Sequence, residues 1–238
     1  MTITSSHNDK LKAIRKLGQR RRERERSGRF VAEGEDLLAA AEAAGWAPVE
    51  RYCAAGSGLG GTEVEPSLLA AASALGSGTR ALAVYEERWA PEPAGPLCVY
   101  LHGVRDPGNV GTILRSAQAF GASTVAFGPG SADPFGPKAV RASMGAVFTV
   151  GLARASDAAD LPGTKVALAA GRGRALHELD LGACDDVTLL IGSEREGLPE
   201  ELVAAADHVA RIPIRNHSLN AAMAATVALY EATRMARE

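Results

Sequence analysis

Residues 97–128 read LCVYLHGVRDPGNVGTILRSAQAFGASTVAFG, and their periodicity decides the fold. LCVYLH at one end and STVAFG at the other are apolar runs of the kind that form strands buried on both faces of a sheet. Between them Val110, Ile113, Leu114, Ala117 and Phe120 recur at helical spacing over 109–120. Asp106-Pro107-Gly108 reads as a turn, Asn109 as the N-cap and Gly121 as the stop. Strand, helix and strand in so short a span make a βαβ unit with parallel strands. The alternation continues through AVFTVG (146–151), KVALAA (165–170), VTLLIG (187–192) and a long helix from Ser218. This predicts an α/β fold with a parallel, doubly covered sheet whose ligands bind at the carboxyl ends of its strands.

Upstream, RFVAEGEDLLAAAEAAGW (29–46) reads as a short strand entering a helix striped by Leu37, Leu38, Ala41 and Ala44 and stopped by Gly45. After the glycine-rich AAGSGLGGTE come a second helix at 67–75 and a strand at 80–85, so residues 1–88 form a small α/β unit. WAPEPAGP (89–96) is a linker, because its prolines remove backbone donors and fix φ. Residues 97–238 form the second domain.

The chain has 238 residues, 46% hydrophobic and 23% charged, enough for one good core or two small ones. No window approaches the roughly 20 apolar residues of a membrane-spanning helix, and the polar start lacks a secretory h-region, so a cytoplasmic protein is expected. Cys53, Cys98 and Cys184 are far apart and odd in number, which disfavours a disulfide framework or a zinc site; they read as small buried hydrophobes. The five histidines share no ligand spacing, and no metal is expected.

The net charge of −2 hides an asymmetry: residues 10–29 hold ten Lys and Arg against two Glu. Such a run, with Arg20, Arg21, Arg22 and Arg29, is a footprint for a polyanion, since each phosphate contact releases a counterion. Its other reading is a solvated helix in which Arg20 and Glu23, or Arg24 and Glu25, pair along the surface.

Three segments follow buried strands in the back half. In residues 101–122 a helix N-terminus backed by Asn109, Thr112 and Arg115 can receive an RNA phosphate, or be a capped surface helix with an ordinary Arg. In LLIGSEREGLPEEL (189–202), Gly192 and Gly197 let backbone approach a planar ligand such as adenine, or simply form a tight turn with surface charges. The loop is neither a phosphate-binding Walker loop nor the GxGxxG of a dinucleotide site, which disfavours an oxidoreductase. In residues 211–238 Ser218 and Asn220 stand at the mouth of a small-residue helix, apolar nearly all round and therefore buried on several sides. They either meet a ligand or only cap it.

DPGNVGTILRSAQAFGA, LLIGSEREGLP and IPIRNHSLNAAMAATVALYE, in this order, resemble the three signature motifs of the SpoU (TrmH-type) RNA ribose 2'-O-methyltransferases of the SPOUT superfamily. RASMGAVF (141–148) is also similar to that family, and the front half resembles its ribosomal-protein-like substrate-binding domain. The resemblance implies a trefoil knot in the C-terminal domain, S-adenosylmethionine held in the knot loops, and a homodimer whose active site draws on both subunits. By matching positions it implies cofactor contacts for Gly192, Leu198, Ile212, Ile214 and Leu219, and catalytic or orienting roles for Asn109, Arg115, Glu194, Ser218 and Asn220. Arg141 joins the arginines of the basic run as an RNA contact. The longer glycine-containing loop usual between IP and SLN is here the compact IRNH (214–217).

The implied reaction methylates a ribose 2'-hydroxyl in structured RNA, ribosomal RNA ahead of transfer RNA; the other reading is a non-catalytic RNA-binding member of the fold. A guanidinium holds its proton too tightly to be a simple base. Arg115 is therefore expected to clamp a phosphate and stabilise the 2'-oxygen while the phosphate or a water removes the proton. Glu194 would hold Arg115 or the loop, and Ser218 and Asn220 would orient the ribose.

Overall fold

The structure is a computed structural model that describes residues 2–74, 78–215 and 219–235. The basic run is no free arm. It folds into α1 (Asp9–Gln19) and α2 (Arg21–Ser27), with Leu11, Ile14 and Leu17 burying one stripe of α1. The pairs that form are Arg21–Glu25 and Arg26–Glu23, one helical turn apart, in place of the two expected. Arg24 turns inward instead, 5% exposed. Its Nε donates to Asp133 Oδ2 at 2.8 Å and its Nη1 to the Leu17 carbonyl at 2.6 Å.

The remaining elements of the front half are β1 (Arg29–Glu33), α3 (Glu35–Ala43), β2 (Glu50–Ala54), β3 (Thr62–Val64), α4 (Pro66–Ala72) and β4 (Ala81–Glu86). The strands form a sheet in the order β1-β4-β2-β3. Alternation sorts its faces: Val31, Leu82 and Val84 pack with α1 and α4, while Phe30, Ala83 and Tyr85 point the other way. That second face is covered by α3 and by the back half of the chain. Phe30 lies 4.7 Å from Phe135 between ring centroids, Trp46 lies 5.2 Å from Phe148, and Trp46 Nε1 donates to the Phe148 carbonyl at 2.8 Å. The 89–96 segment is itself stitched down, Trp89 packing edge-on against Phe127 and Phe135.

The back half contains β5 (Leu97–Leu101), α5 (Pro107–Ala119), β6 (Thr124–Phe127), α6 (Pro137–Ala142), β7 (Gly151–Arg154), β8 (Thr164–Leu168), β9 (Arg174–Ala175), β10 (Val187–Ile191), α7 (Glu200–Ala204), β11 (His208–Arg211) and α8 (Ala221–Met235). All seven strands are parallel, in the order β7-β6-β5-β10-β8-β11-β9. The sheet is covered on both sides, as the apolar runs predict. Leu97, Val99 and Leu101 of β5 face the core shared with α5, α6 and α8, while Cys98 and Tyr100 face the layer containing α7. Burial pushes the Cys98 thiol up to about 12, so it is an inert hydrophobe; Cys53 is buried too, and Cys184 only half-buried.

Four expectations need correction. AVFTVG is not a strand: Ala146–Phe148 is a buried 3-10 turn and β7 starts at Gly151, because a short apolar run suits either state. The cap of α5 is Asp106, whose carboxylate accepts from Asn109 N at 2.9 Å, and Pro107 occupies the first helical position, where its missing N–H costs nothing. The last helix starts at Ala221 and its cap is Asn220, whose Oδ1 accepts from Ala222 N and Met223 N; Ser218 lies outside the described residues. Finally, α8 is not buried all round. Ala221, Ala225 and Leu229 are inside, but Met223, Val227 and Tyr230 form an exposed apolar stripe.

Gly111 sets the spacing of α5 and α6. A Cβ there would lie 2.4 Å from the Ala139 carbonyl oxygen and 2.5 Å from Ala142 Cβ. Gly111→Ala is expected to cost about 1–3 kcal/mol by overpacking, measured by urea unfolding as a lower midpoint at unchanged slope.

Candidate active site

The segments that follow β8, β10 and β11 at the carboxyl ends of the sheet, with the start of α8, line a cavity of about 510 Å³. Gly192, Leu198, Ile212, Ile214 and Leu219 all line it, and Glu194 stands at its edge. The loop after β10 is folded back on itself: Ser193 and Gly197 exchange both backbone hydrogen bonds, and Glu196 N donates to Ser193 Oγ. This closure leaves no room for a side chain on Gly192, whose Cβ would fall 2.2 Å from the Gly197 carbonyl carbon. Gly197 turns the chain at φ +70°, where a glycine is favoured.

Three polar side chains from three segments meet at the edge of the cavity. Asn220 Nδ2 donates to Asn109 Oδ1 at 3.0 Å, and Asn109 Nδ2 donates to Glu194 Oε1. The caps described above orient this chain. Asp106 starts α5 so that Asn109 faces the loop, and Asn220 uses its Oδ1 on α8 while its Nδ2 reaches Asn109. Arg105 and Glu196 make a second, exposed tie between the same two loops at 3.6 Å.

Arg115 is elsewhere. It lies six residues beyond Asn109, which on a helix is about 9 Å along the axis and about 120° around it. It is exposed and lines a different opening with Thr112, Lys138, Arg141 and Met144. Of the two expected roles, holding Arg115 or holding the loop, the first is not what the geometry gives: Glu194 sits in the loop and ties it to Asn109. Of the arginines expected to touch RNA, Arg21 and Arg29 engage Glu25 and Glu86, whereas Arg20, Arg22 and Arg141 are exposed and have no ion-pair partner among the described residues.

The far wall was not read from the sequence. Leu168 ends β8, Ala169 and Ala170 follow it, and Arg172 and Glu200 pair across the rim, 2.5 Å apart. Each favours the charged form of the other, chiefly through their hydrogen bond: Arg172 draws Glu200 below the usual carboxylate range, and Glu200 makes the Arg172 guanidinium harder still to deprotonate. The signal was present in KVALAAGRGR (165–174), a buried parallel strand ending in glycines and arginines. Among the described residues no three His, Cys, Asp or Glu side chains gather as metal ligands, and no helix is long and apolar enough to cross a membrane.

The sequence profile of the SpoU rRNA Methylase family matches residues 96–230, and that of the MRM3-like substrate binding domain matches residues 8–88. A solved AdoMet-bound rRNA methyltransferase from Sinorhizobium meliloti is 34% identical, with a TM-score of 0.87 over 98% of this chain and 97% of that one. The SpoU methyltransferase AviRb from Streptomyces viridochromogenes, solved in complex with AdoMet, is 28% identical, with a TM-score of 0.83 over 96% of this chain and 98% of that one. A 23S rRNA (uridine(2479)-2'-O)-methyltransferase from Streptomyces viridochromogenes is 39% identical over 140 residues, 54% of this chain and 49% of that protein. The chain spans about half the length of the first curated relatives it matches.

Proposed function

The chain belongs to the SpoU rRNA methylase family, and from that premise we propose that it is an S-adenosylmethionine-dependent RNA methyltransferase acting on a ribose 2'-hydroxyl, in ribosomal RNA ahead of transfer RNA. The observation that carries this is the convergence of Gly192, Leu198, Ile212, Ile214 and Leu219 on one cavity whose edge bears the Asn109–Glu194–Asn220 chain. A volume of about 510 Å³ and a mostly aliphatic lining suit a nucleoside-sized ligand held by a few polar groups. S-Adenosylmethionine, when bound, supplies an electrophilic methyl group on a sulfonium.

The protein's task is then alignment and charge stabilisation. Asn109 and Asn220 hold the α5 and α8 N-termini against the Glu194 loop, so that the donor cavity and the ribose side keep one geometry. Arg115 clamps a phosphate and stabilises the 2'-oxygen as its proton passes to phosphate or water. Because Arg115 stands away from the donor cavity of its own chain, the reading includes a homodimer in which a second copy brings its Arg115 to that cavity. The exposed Met223, Val227 and Tyr230 stripe supports this, an apolar face that pairing would cover.

The same reading takes residues 1–88 as the RNA-binding unit, 89–96 as the joint and 97–238 as the methyl-transfer unit. It also includes the trefoil threading, supported by the meeting of Gly192 and Leu198 with Ile212, Ile214 and Leu219 around one cavity. The work is cytoplasmic.

The test combines titration calorimetry with labelled S-adenosylmethionine and transfer to deproteinised ribosomal RNA, read as alkali-resistant dinucleotides. The proposal requires donor uptake and label on a ribose. Asn109→Ala should keep donor binding within about threefold and lower turnover about tenfold, the loss of one oriented polar contact. No donor uptake, or label on a base, overturns it.

A further inference from the structure

The opening beside Arg115 contains more than a phosphate clamp needs. Its volume is about 590 Å³; Thr112 and Arg115 line it from α5, Lys138 and Arg141 from α6, and Met144 from the turn that follows. The close approach at Gly111 brings these two i,i+3 pairs to one surface. Arg115, Lys138 and Arg141 have no ion-pair or hydrogen-bond partner among the described residues, and the described lining contains no carboxylate. Uncompensated cations so close together repel one another, a cost that an anionic backbone removes.

Met144 breaks two rules at once. It is 56% exposed, a large apolar side chain among cations, and it is the one non-glycine residue with positive φ among the described residues, at +50°. The strain is held in place from behind, since Gly145, at φ +97°, sits against Ala40 so closely that a Cβ would lie 2.6 Å from it. A residue strained into solvent is a candidate for function rather than packing. Met144 also borders a second depression, of about 420 Å³, lined by Glu33, Glu35 and Asp36 together with Arg141 and with Arg80, which pairs with Glu35 at 3.4 Å. Three carboxylates against two guanidinium groups make that side less favourable to phosphate than the opening beside Arg115, so an RNA backbone that follows the cations has reason to turn at Met144.

We propose that Met144 is a base-contacting residue: with phosphates on Arg115, Lys138 and Arg141, its thioether packs on the face of an unstacked nucleobase flanking the methylated nucleotide. The inference rests on the RNA-methylation reading above. A polarisable, flexible side chain suits an aromatic face, and base contacts of this kind are sequence-tolerant.

Met144→Gly removes the side chain while suiting the backbone, which separates function from folding. The expected result is an unchanged or higher Tm, unchanged S-adenosylmethionine binding, and a KM for ribosomal RNA raised at least about fivefold with kcat within about twofold. Its salt dependence should match that of wild type, whereas Lys138→Gln and Arg141→Gln should each reduce the slope by about one. Met144→Leu should recover most of the affinity. Wild-type KM in Met144→Gly, or a fall in Tm that parallels the fall in activity, overturns this inference and leaves the methylation reading standing. A wild-type protein that methylates no ribosomal or transfer RNA brings down both.

Discussion

Gly192→Ala is expected to weaken S-adenosylmethionine binding about a hundredfold while leaving both sheets folded. The added Cβ would lie 2.2 Å from the Gly197 carbonyl carbon and 2.4 Å from Leu198 N, against backbone atoms that cannot rotate away. Either β10 or the returning loop must move. β10 is hydrogen-bonded on both sides, to β5 and β8, and all its residues are buried. The loop is held by its own Ser193–Gly197 pair and by exposed contacts to Arg105 and Asn109, so it is the loop that gives way. Overpacking costs about 1–3 kcal/mol, and the upper part of that range, taken out of binding, is about two decades of Kd. Calorimetric titration reads the affinity, and circular dichroism with a thermal scan reads the fold. Wild-type affinity in this variant would mean that the donor does not rest against the loop.

Arg24→Ala is expected to lower Tm by about 10 °C, although Arg24 sits inside the most basic stretch of the chain. Its side chain is 7% exposed and that of Asp133 13%. Truncation leaves the carboxylate of Asp133 and the carbonyl of Leu17 buried without their shared donor. Breaking such a pair costs about 3–5 kcal/mol, and in a chain of this size each kcal/mol moves Tm by about 2–4 °C. Arg22→Ala, exposed and unpaired among the described residues, should change stability by less than about 0.5 kcal/mol. Arg24→Met combined with Asp133→Leu should recover part of the loss, because no buried carboxylate is then left alone, while the Leu17 carbonyl still lacks its donor. A normal Tm with weakened RNA binding in Arg24→Ala would instead make Arg24 an RNA contact.

This pair also shows where sequence reasoning stops. The strands at 97–101, 124–127, 164–168 and 187–191 were legible because double burial leaves a continuous apolar run. β11 and β9 were not. HVAR puts a polar residue on each face, His208 beside Ala210 and Arg211 beside Val209, and is only partly buried, and two residues at a sheet edge have no period. Nothing in residues 10–29 distinguishes Arg24 from its neighbours, since its partner lies 109 residues away. The candidate site divides in the same way. The positions lining the donor cavity fell in motifs that follow strands, and the order of strands brings such motifs together. The Asn109–Glu194–Asn220 chain spans 111 residues, so its members could be named but not joined. The separation of Arg115 from Glu194 follows from six residues of helix, and its direction depends on where the helix begins, which was set two residues too late.

The ring cluster around Phe30, Trp46, Phe135 and Phe148 packs the front and back sheets together, and under the proposed function this would govern how a target is selected. On the proposed reading, an RNA gripped by the first 88 residues would meet the reaction centre at a fixed offset and angle, like an object between the jaws of a locked caliper. A stem one base pair longer would carry its ribose past the methyl donor without any wrong contact being made. Severing the chain near residue 90 would yield no smaller working enzyme, only two fragments each with a greasy flank open to water.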